Sequence, residues 1–90
     1  MKCVQEVIVK NPLGLHTRPA TFIVKLLQGC CCDVKFTYNN ETVDAKSILS
    51  ILMLAAIKNS SITVICEGSD ADIILKKLVA AFETEFGEGS

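Results

Sequence analysis

Apolar residues recur in this chain with two different periods, and the switch between them limits the folds available. Ala20, Ile23, Val24 and Leu27 fall at i, i+3, i+4 and i+7, with Arg18, Thr21, Lys25 and Gln28 on the other side. That spacing predicts an amphipathic helix, which Gly29 ends. Ala71, Ile74, Leu75, Leu78 and Phe82 repeat it after Gly68-Ser69-Asp70. Between the two, Val34, Phe36 and Tyr38 alternate with Asp33, Lys35 and Thr37, Asn39-Asn40 supplies a turn, and Thr42-Val43 begins the return of a hairpin. Gln5 to Val9 reads as a first strand, its buried face ambiguous because Val7, Ile8 and Val9 are contiguous, and Asn11-Pro12-Leu13-Gly14 breaks it. Ser47 caps a short helix running from Ile48 to about Ala56; Asn59, Ser60 and Ser61 close it, and Ile62 to Glu67 forms a last strand. The order β-α-β-β-α-β-α predicts a two-layer α+β domain with its helices on one side of a sheet. Chain order alone leaves the strand order open.

Length and charge narrow the functional classes. A chain of 90 residues supports one hydrophobic core and not two, and half of its residues are hydrophobic. Nine basic residues against ten acidic give a formal net charge of −1, with the basic residues scattered, which argues against a nucleic-acid partner. An RNA-binding ferredoxin-like domain would share the first six elements, but one Tyr and no Trp leave it little to stack on bases. No stretch approaches the ~20 consecutive apolar residues that cross a bilayer. Met1-Lys2-Cys3-Val4-Gln5-Glu6 also lacks a signal-peptide core, so a cytoplasmic protein away from the membrane is expected. The tail Gly87-Glu88-Gly89-Ser90 is expected to be mobile.

The cysteines fit neither a disulfide framework nor a zinc site. There are five, an odd number, without a Cys-x-x-Cys, and Cys30, Cys31 and Cys32 are adjacent. Together with Cys3 and Cys66 they read as reduced thiols filling space in or near strands. A single histidine cannot complete a usual metal set, so no metal is expected.

That histidine stands in Gly14-Leu15-His16-Thr17-Arg18-Pro19-Ala20, where a turn runs into the first helix. Pro19 suits a first helical turn, because its missing N–H would be unpaired there and its φ is already helical. His16 is therefore at or just before the helix start. Unpaired backbone N–H groups and the positive end of the helix dipole converge at such a place, and Arg18 adds a planar fork of donors that matches phosphate oxygens. An imidazole nitrogen with a free lone pair is a nucleophile. A lone histidine before a helix is more often a cap or a plain surface residue. The alternative reading is a histidine that accepts a phosphoryl group and passes it on.

The whole string from Gly14 to Ala20, followed by Ala45-Lys46-Ser47-Ile48 in a chain of this size, resembles HPr, the histidine-containing phosphocarrier family of the phosphoenolpyruvate-dependent phosphotransferase system. The resemblance runs from the strand before the motif to the last helix. It implies an open-faced β-sandwich: a four-stranded antiparallel sheet in order 1-4-2-3, covered on one face by three helices. It further implies a single domain over residues 1–86, a monomer, with residues 87–90 as tail. His16 would take a phosphoryl group from phospho-enzyme I on Nδ1 and give it to an enzyme IIA-type acceptor, with Thr17 and Arg18 holding the phosphate. Phosphoryl transfer is mostly positioning and charge stabilisation, so no general-base carboxylate, metal or organic cofactor is called for.

The second helix is apolar almost all round and cannot bury every side chain against one sheet face. Ile48, Ile51 and Ala55 make one stripe and Leu49, Leu52 and Ala56 another, and the resemblance puts the second on the surface as a docking face. Thr21 and Lys25 are expected to join Leu49 and Leu52 there, with Phe22 a weaker candidate. Lys25 and Arg18 would steer acidic partners. Ser47 caps its helix on chemical grounds. By resemblance it is also the serine that an HPr kinase/phosphorylase modifies, putting roughly −2 charge at the docking face. Gln28 and Ala55-Ala56 depart from the family pattern, where a second lysine and a glycine are common. Two related readings are a nitrogen-related paralogue that phosphorylates a regulatory acceptor and a regulatory binding module without turnover. Lys46-Ser47-Ile48 leans against the first, and the presence of His16 against the second.

Overall fold

The structure, a computed structural model, describes residues 1–88. Its elements follow in the order β1 (Lys2–Ile8), α1 (Thr17–Leu27), β2 (Asp33–Tyr38), β3 (Glu41–Asp44), α2 (Ile48–Met53), β4 (Ser61–Glu67) and α3 (Ala71–Glu83), with a 3₁₀ turn at Glu85–Gly87. The strands form one sheet in the order β1-β4-β2-β3, every pair antiparallel. Three helices cover one face, so the fold is the α+β open-faced sandwich expected. No helix among the described residues is long and apolar enough to cross a membrane.

The two-residue period decides which face is covered. Val7, Val34, Phe36, Ile62, Val64 and Cys66 point inward and meet Ile23 and Leu27 of α1, Ile51 of α2, and Ile74, Leu78 and Phe82 of α3. Val9 is buried and Ile8 exposed, which settles the ambiguous end of β1. Asn39 and Asn40 both take left-handed backbone, with φ of 55° and 66°, as a tight two-residue hairpin requires.

Two boundaries differ from expectation. β1 starts earlier, at Lys2, because pairing with β4 continues to the Met1 carbonyl, which accepts from the Gly68 N–H at 2.8 Å. α2 stops at Met53 because Ala55 has φ +53°, which no right-handed helix can continue through. Phe86 is buried edge-on between Phe82 and Phe22, with ring centroids 4.8 Å and 5.8 Å away. Gly87 and Glu88 follow in and just after the 3₁₀ turn, and Glu88 meets buried Asn11; Gly89 and Ser90 of the expected tail lie outside the described residues.

Candidate functional site at the start of α1

His16 is the N-cap of α1, extended at φ −84° and ψ −167°, and its carbonyl accepts the helix's first bond from Ala20 N at 3.1 Å. Its imidazole caps nothing. The Thr17 and Arg18 N–H groups therefore open outward at the first turn, while Pro19 brings no N–H that would need a partner. The side chain is spared for other work.

The loop before it is fixed by backbone contacts. Gly14 has φ +69°, and a Cβ there would strike the Ala56 carbonyl oxygen and come within 2.9 Å of the Ile57 Cα. Glycine thus lets two backbones meet: Leu15 N donates to the Ala56 carbonyl at 3.0 Å. The His16 loop and the segment leaving α2 are joined at this point, so the two chemically informative stretches of sequence form one surface.

A carboxylate completes the site. The Glu88 oxygens lie 3.2 Å and 3.0 Å from His16 Nε2, and one is 3.9 Å from Arg18 Nε. Wholly buried Asn11 holds Glu88 in place: its Nδ2 donates to the Glu88 carboxylate and, at 2.9 Å, to the Glu85 carbonyl. A shallow hollow of about 290 Å³ lies between Pro12, Leu13, His16, Arg18 and Glu88. A second, of about 320 Å³, runs past Thr17, Arg18, Thr21, Phe22, Lys25, Phe86 and Glu88. Arg18 and Glu88 border both. The site offers a ring nitrogen, open N–H groups and a guanidinium, all on a partly exposed surface.

Thr17, Arg18, Thr21 and Lys25 line one hollow along α1, and Arg18 also borders the hollow that His16 lines. Thr21 turns its hydroxyl back onto its own helix, donating to the Thr17 carbonyl at 2.8 Å. Ser47 caps α2 as expected, accepting from Ser50 N at 3.2 Å. The exposed stripe of α2 is different from the one expected. Ile51 faces the core, and at about 100° per residue Leu49 and Met53 lie roughly 160° from it on either side. They are 68% and 69% exposed, whereas Leu52, on the flank, packs partly against the core and Ala56 is buried. Leu49 and Met53 are thus the most exposed apolar residues of α2, while Leu52 is half-buried and Ala56, past the helix end, is buried. Leu13 and Ile57 extend the exposed apolar surface beside the Gly14 crossing. The Glu88 contact with His16 was not expected, because a Gly-Glu-Gly-Ser tail reads as mobile; Asn11, which needs a polar partner when buried, is the signal that could have found it.

The cysteines gather after the other end of α1. All five are free thiols, with Cys32 and Cys66 buried and Cys31 exposed. Burial first, then the neighbouring Asp70 and Cys30, pushes the Cys32 thiol up to about 12. Burial with Cys3 and Cys30 close by takes Cys66 to about 11. Asp70 is held below its usual value chiefly by the Cys31 N–H, which donates to it at 2.9 Å. Among the described residues no cluster of His, Cys, Asp or Glu is arranged to hold a metal.

The family model described as the PTS HPr component phosphorylation site matches residues 3–84. This chain belongs to the HPr family. The phosphocarrier protein HPr of Chlamydia pneumoniae is 51% identical over 81 residues, 90% of this chain and 75% of that protein. That of Chlamydia muridarum is 47% identical over 90% of this chain and 78% of its own length. Among solved structures, HPr-C-His of Thermoanaerobacter tengcongensis superposes with a TM-score of 0.92 at 31% identity, covering 98% of this chain and 99% of that one. The phosphocarrier HPr of Bacillus anthracis str. Ames gives 0.83 at 37% identity, covering 88% and 94%. The chain is a phosphocarrier of the phosphotransferase system and not a stand-alone catalyst, and the HPr strand order 1-4-2-3 is the one its sheet adopts.

Proposed function

We propose that His16 accepts a phosphoryl group from phospho-enzyme I and delivers it to an enzyme IIA-type acceptor. The observation that carries this reading is the placement of His16: a cap residue whose ring makes no cap bond, at an open helix start beside Arg18. The open N–H groups of Thr17 and Arg18 and the Arg18 guanidinium receive the equatorial oxygens of the transferred group. Thr21, Lys25 and the apolar surface of Leu49 and Met53, with Leu52 on its flank, form the docking face. Both donor and acceptor must present an acidic rim and an apolar centre to it. The carrier works as a monomer in the cytoplasm, needs no cofactor, and engages neither nucleic acid nor membrane.

Ser47 is the regulatory position. A phosphate placed there by an ATP-dependent HPr kinase/phosphorylase would put negative charge beside Leu49 and repel acidic partners without reshaping the fold.

The test is to incubate the purified chain with phosphoenolpyruvate, magnesium and enzyme I. Acid-labile, alkali-stable phosphate is expected on the wild type and absent from His16→Ala. Label that survives His16→Ala would place the chemistry elsewhere.

A further inference from the structure

We infer that the turn between α1 and β2 is a modification site for peroxides: Cys30 is oxidised there, and buried Cys32 resolves it into an intrachain disulfide. The pair follows from the alternation of the chain. Where the backbone extends toward β2, side chains two apart share a face, and Cys30 and Cys32 both pack on the core while Cys31 between them is exposed. Their sulfurs are 4.0 Å apart, with the Cys32 thiol directed at the Cys30 sulfur, and the Cys30 thiol donates to the Cys32 carbonyl at 3.5 Å. The two thiols already touch. They lie past the end of α1 opposite His16, about 16 Å along the helix, so the site is separate from the phosphocarrier site.

The two members differ in access and in freedom. Cys30 is half-buried, so a molecule as small as a peroxide reaches it, whereas Cys32 is 1% exposed. Burial and the neighbouring Asp70 keep the Cys32 thiol protonated, so it is not the first to be attacked. Cys32 is also pinned, because the Gly68 backbone crosses so close that a Cβ there would lie 2.6 Å from the Cys32 Cα. Cys30 follows Gly29, which stands at φ +78° with open space around it. An S–S bond requires the sulfurs to close by about 2 Å, and Cys30 is the side that can move. Asp70, the N-cap of α3, leaves its own helix uncapped and accepts from the Cys31 N–H at 2.9 Å, which holds the turn to α3. Cys3 and Cys66 are less well placed. They face each other across β1 and β4 in step with the bond from Gly68 N–H to the Met1 carbonyl, and side chains at such a hydrogen-bonded pair stand wider apart than a disulfide spans.

The chemistry balances with the peroxide as oxidant. The Cys30 sulfur attacks one peroxide oxygen, the O–O bond breaks, and the other oxygen leaves as water with the thiol proton, giving a sulfenic acid. The Cys32 sulfur then attacks the Cys30 sulfur. An S–S bond forms, the S–O bond breaks, and the hydroxyl leaves as a second water with the Cys32 proton. The thiols have given two electrons to the peroxide. A disulfide that closes so short a loop is readily reduced, so the modification is reversible.

The experiment treats dilute full-length wild type, Cys30→Ser, Cys31→Ser and Cys32→Ser with hydrogen peroxide and counts thiols by alkylation after unfolding. The wild type should lose two of its five thiols, remain a single chain and regain both with dithiothreitol. Fragment spectra of its peptide 26–35 should show Cys31 alkylated and Cys30 and Cys32 joined. Cys31→Ser should form the same bond, Cys30→Ser should form none at Cys32, and Cys32→Ser should hold Cys30 as a sulfenic acid trapped by dimedone. The wild-type map decides the question whatever the stability of the variants. A bond between Cys3 and Cys66, a dimer joined through Cys31, or five intact thiols in the wild type overturns the inference, as does oxidation straight to sulfinic acid with no disulfide.

Discussion

Leu15 N donates to the Ala56 carbonyl at 3.0 Å, and this one bond ties the loop that carries His16 to the chain leaving α2. It forms only because Gly14, at φ +69°, has no Cβ to strike that same carbonyl. Gly14→Ala is expected to cost about 2 kcal/mol or more, since it adds a backbone clash to a disfavoured φ. Urea unfolding measures that loss. Phosphoryl acceptance should fall under conditions where the variant remains fully folded, because the His16 loop must move off α2.

Ala55 stands at φ +53°, a conformation that costs an L-residue with a Cβ and costs glycine little. Ala55→Gly should therefore stabilise the protein by about 0.5–1 kcal/mol, the left-handed penalty removed less the extra freedom glycine gives the unfolded chain. A higher urea midpoint at unchanged slope, with unchanged transfer rate, is the expected outcome.

Ser47 separates capping from charge. Ser47→Ala removes the acceptor of the Ser50 N–H and should cost about 1 kcal/mol, whereas Ser47→Asp replaces one good cap with another. Ser47→Asp should accordingly keep near wild-type stability and still raise the KM of enzyme I for the carrier. Equal KM values would remove Ser47 from the control of docking.

The thiols give a pH dependence of known sign. Burial holds Cys66 near 11 and Cys32 near 12 against an ordinary 9.0, so between these values the folded chain keeps protons that the unfolded chain has lost. Their contribution to stability is complete below pH 9.0 and declines as pH rises through 11 and 12. Denaturation midpoints measured across that range should fall. At pH 8 a thiol reagent should modify exposed Cys31 and spare Cys32 and Cys66.

Periodicity was enough to find α1, α3 and β2, because each buries one face on one core, whereas β1 was read from a contiguous apolar run and α2 from its Ser47 cap. Strand order was not readable from periodicity and came only through the resemblance carried by Gly14 to Ala20 and Lys46-Ser47-Ile48. Helix α2 defeated the pattern since nearly all its residues are apolar: without knowing that Ile51 faces inward, Leu52 and Met53 are interchangeable. His16 and Arg18 stand two residues apart in one motif and were legible. Glu88 reaches them across the whole chain, through Phe86 in the core and Asn11 in the loop, and such a contact leaves no local spacing to read.

The most direct measurement is a ¹⁵N–³¹P correlation spectrum of the phosphorylated chain with labelled histidine. The account predicts that phosphorus couples to His16 Nδ1. Coupling to Nε2, or phosphorus on any other residue, would contradict it.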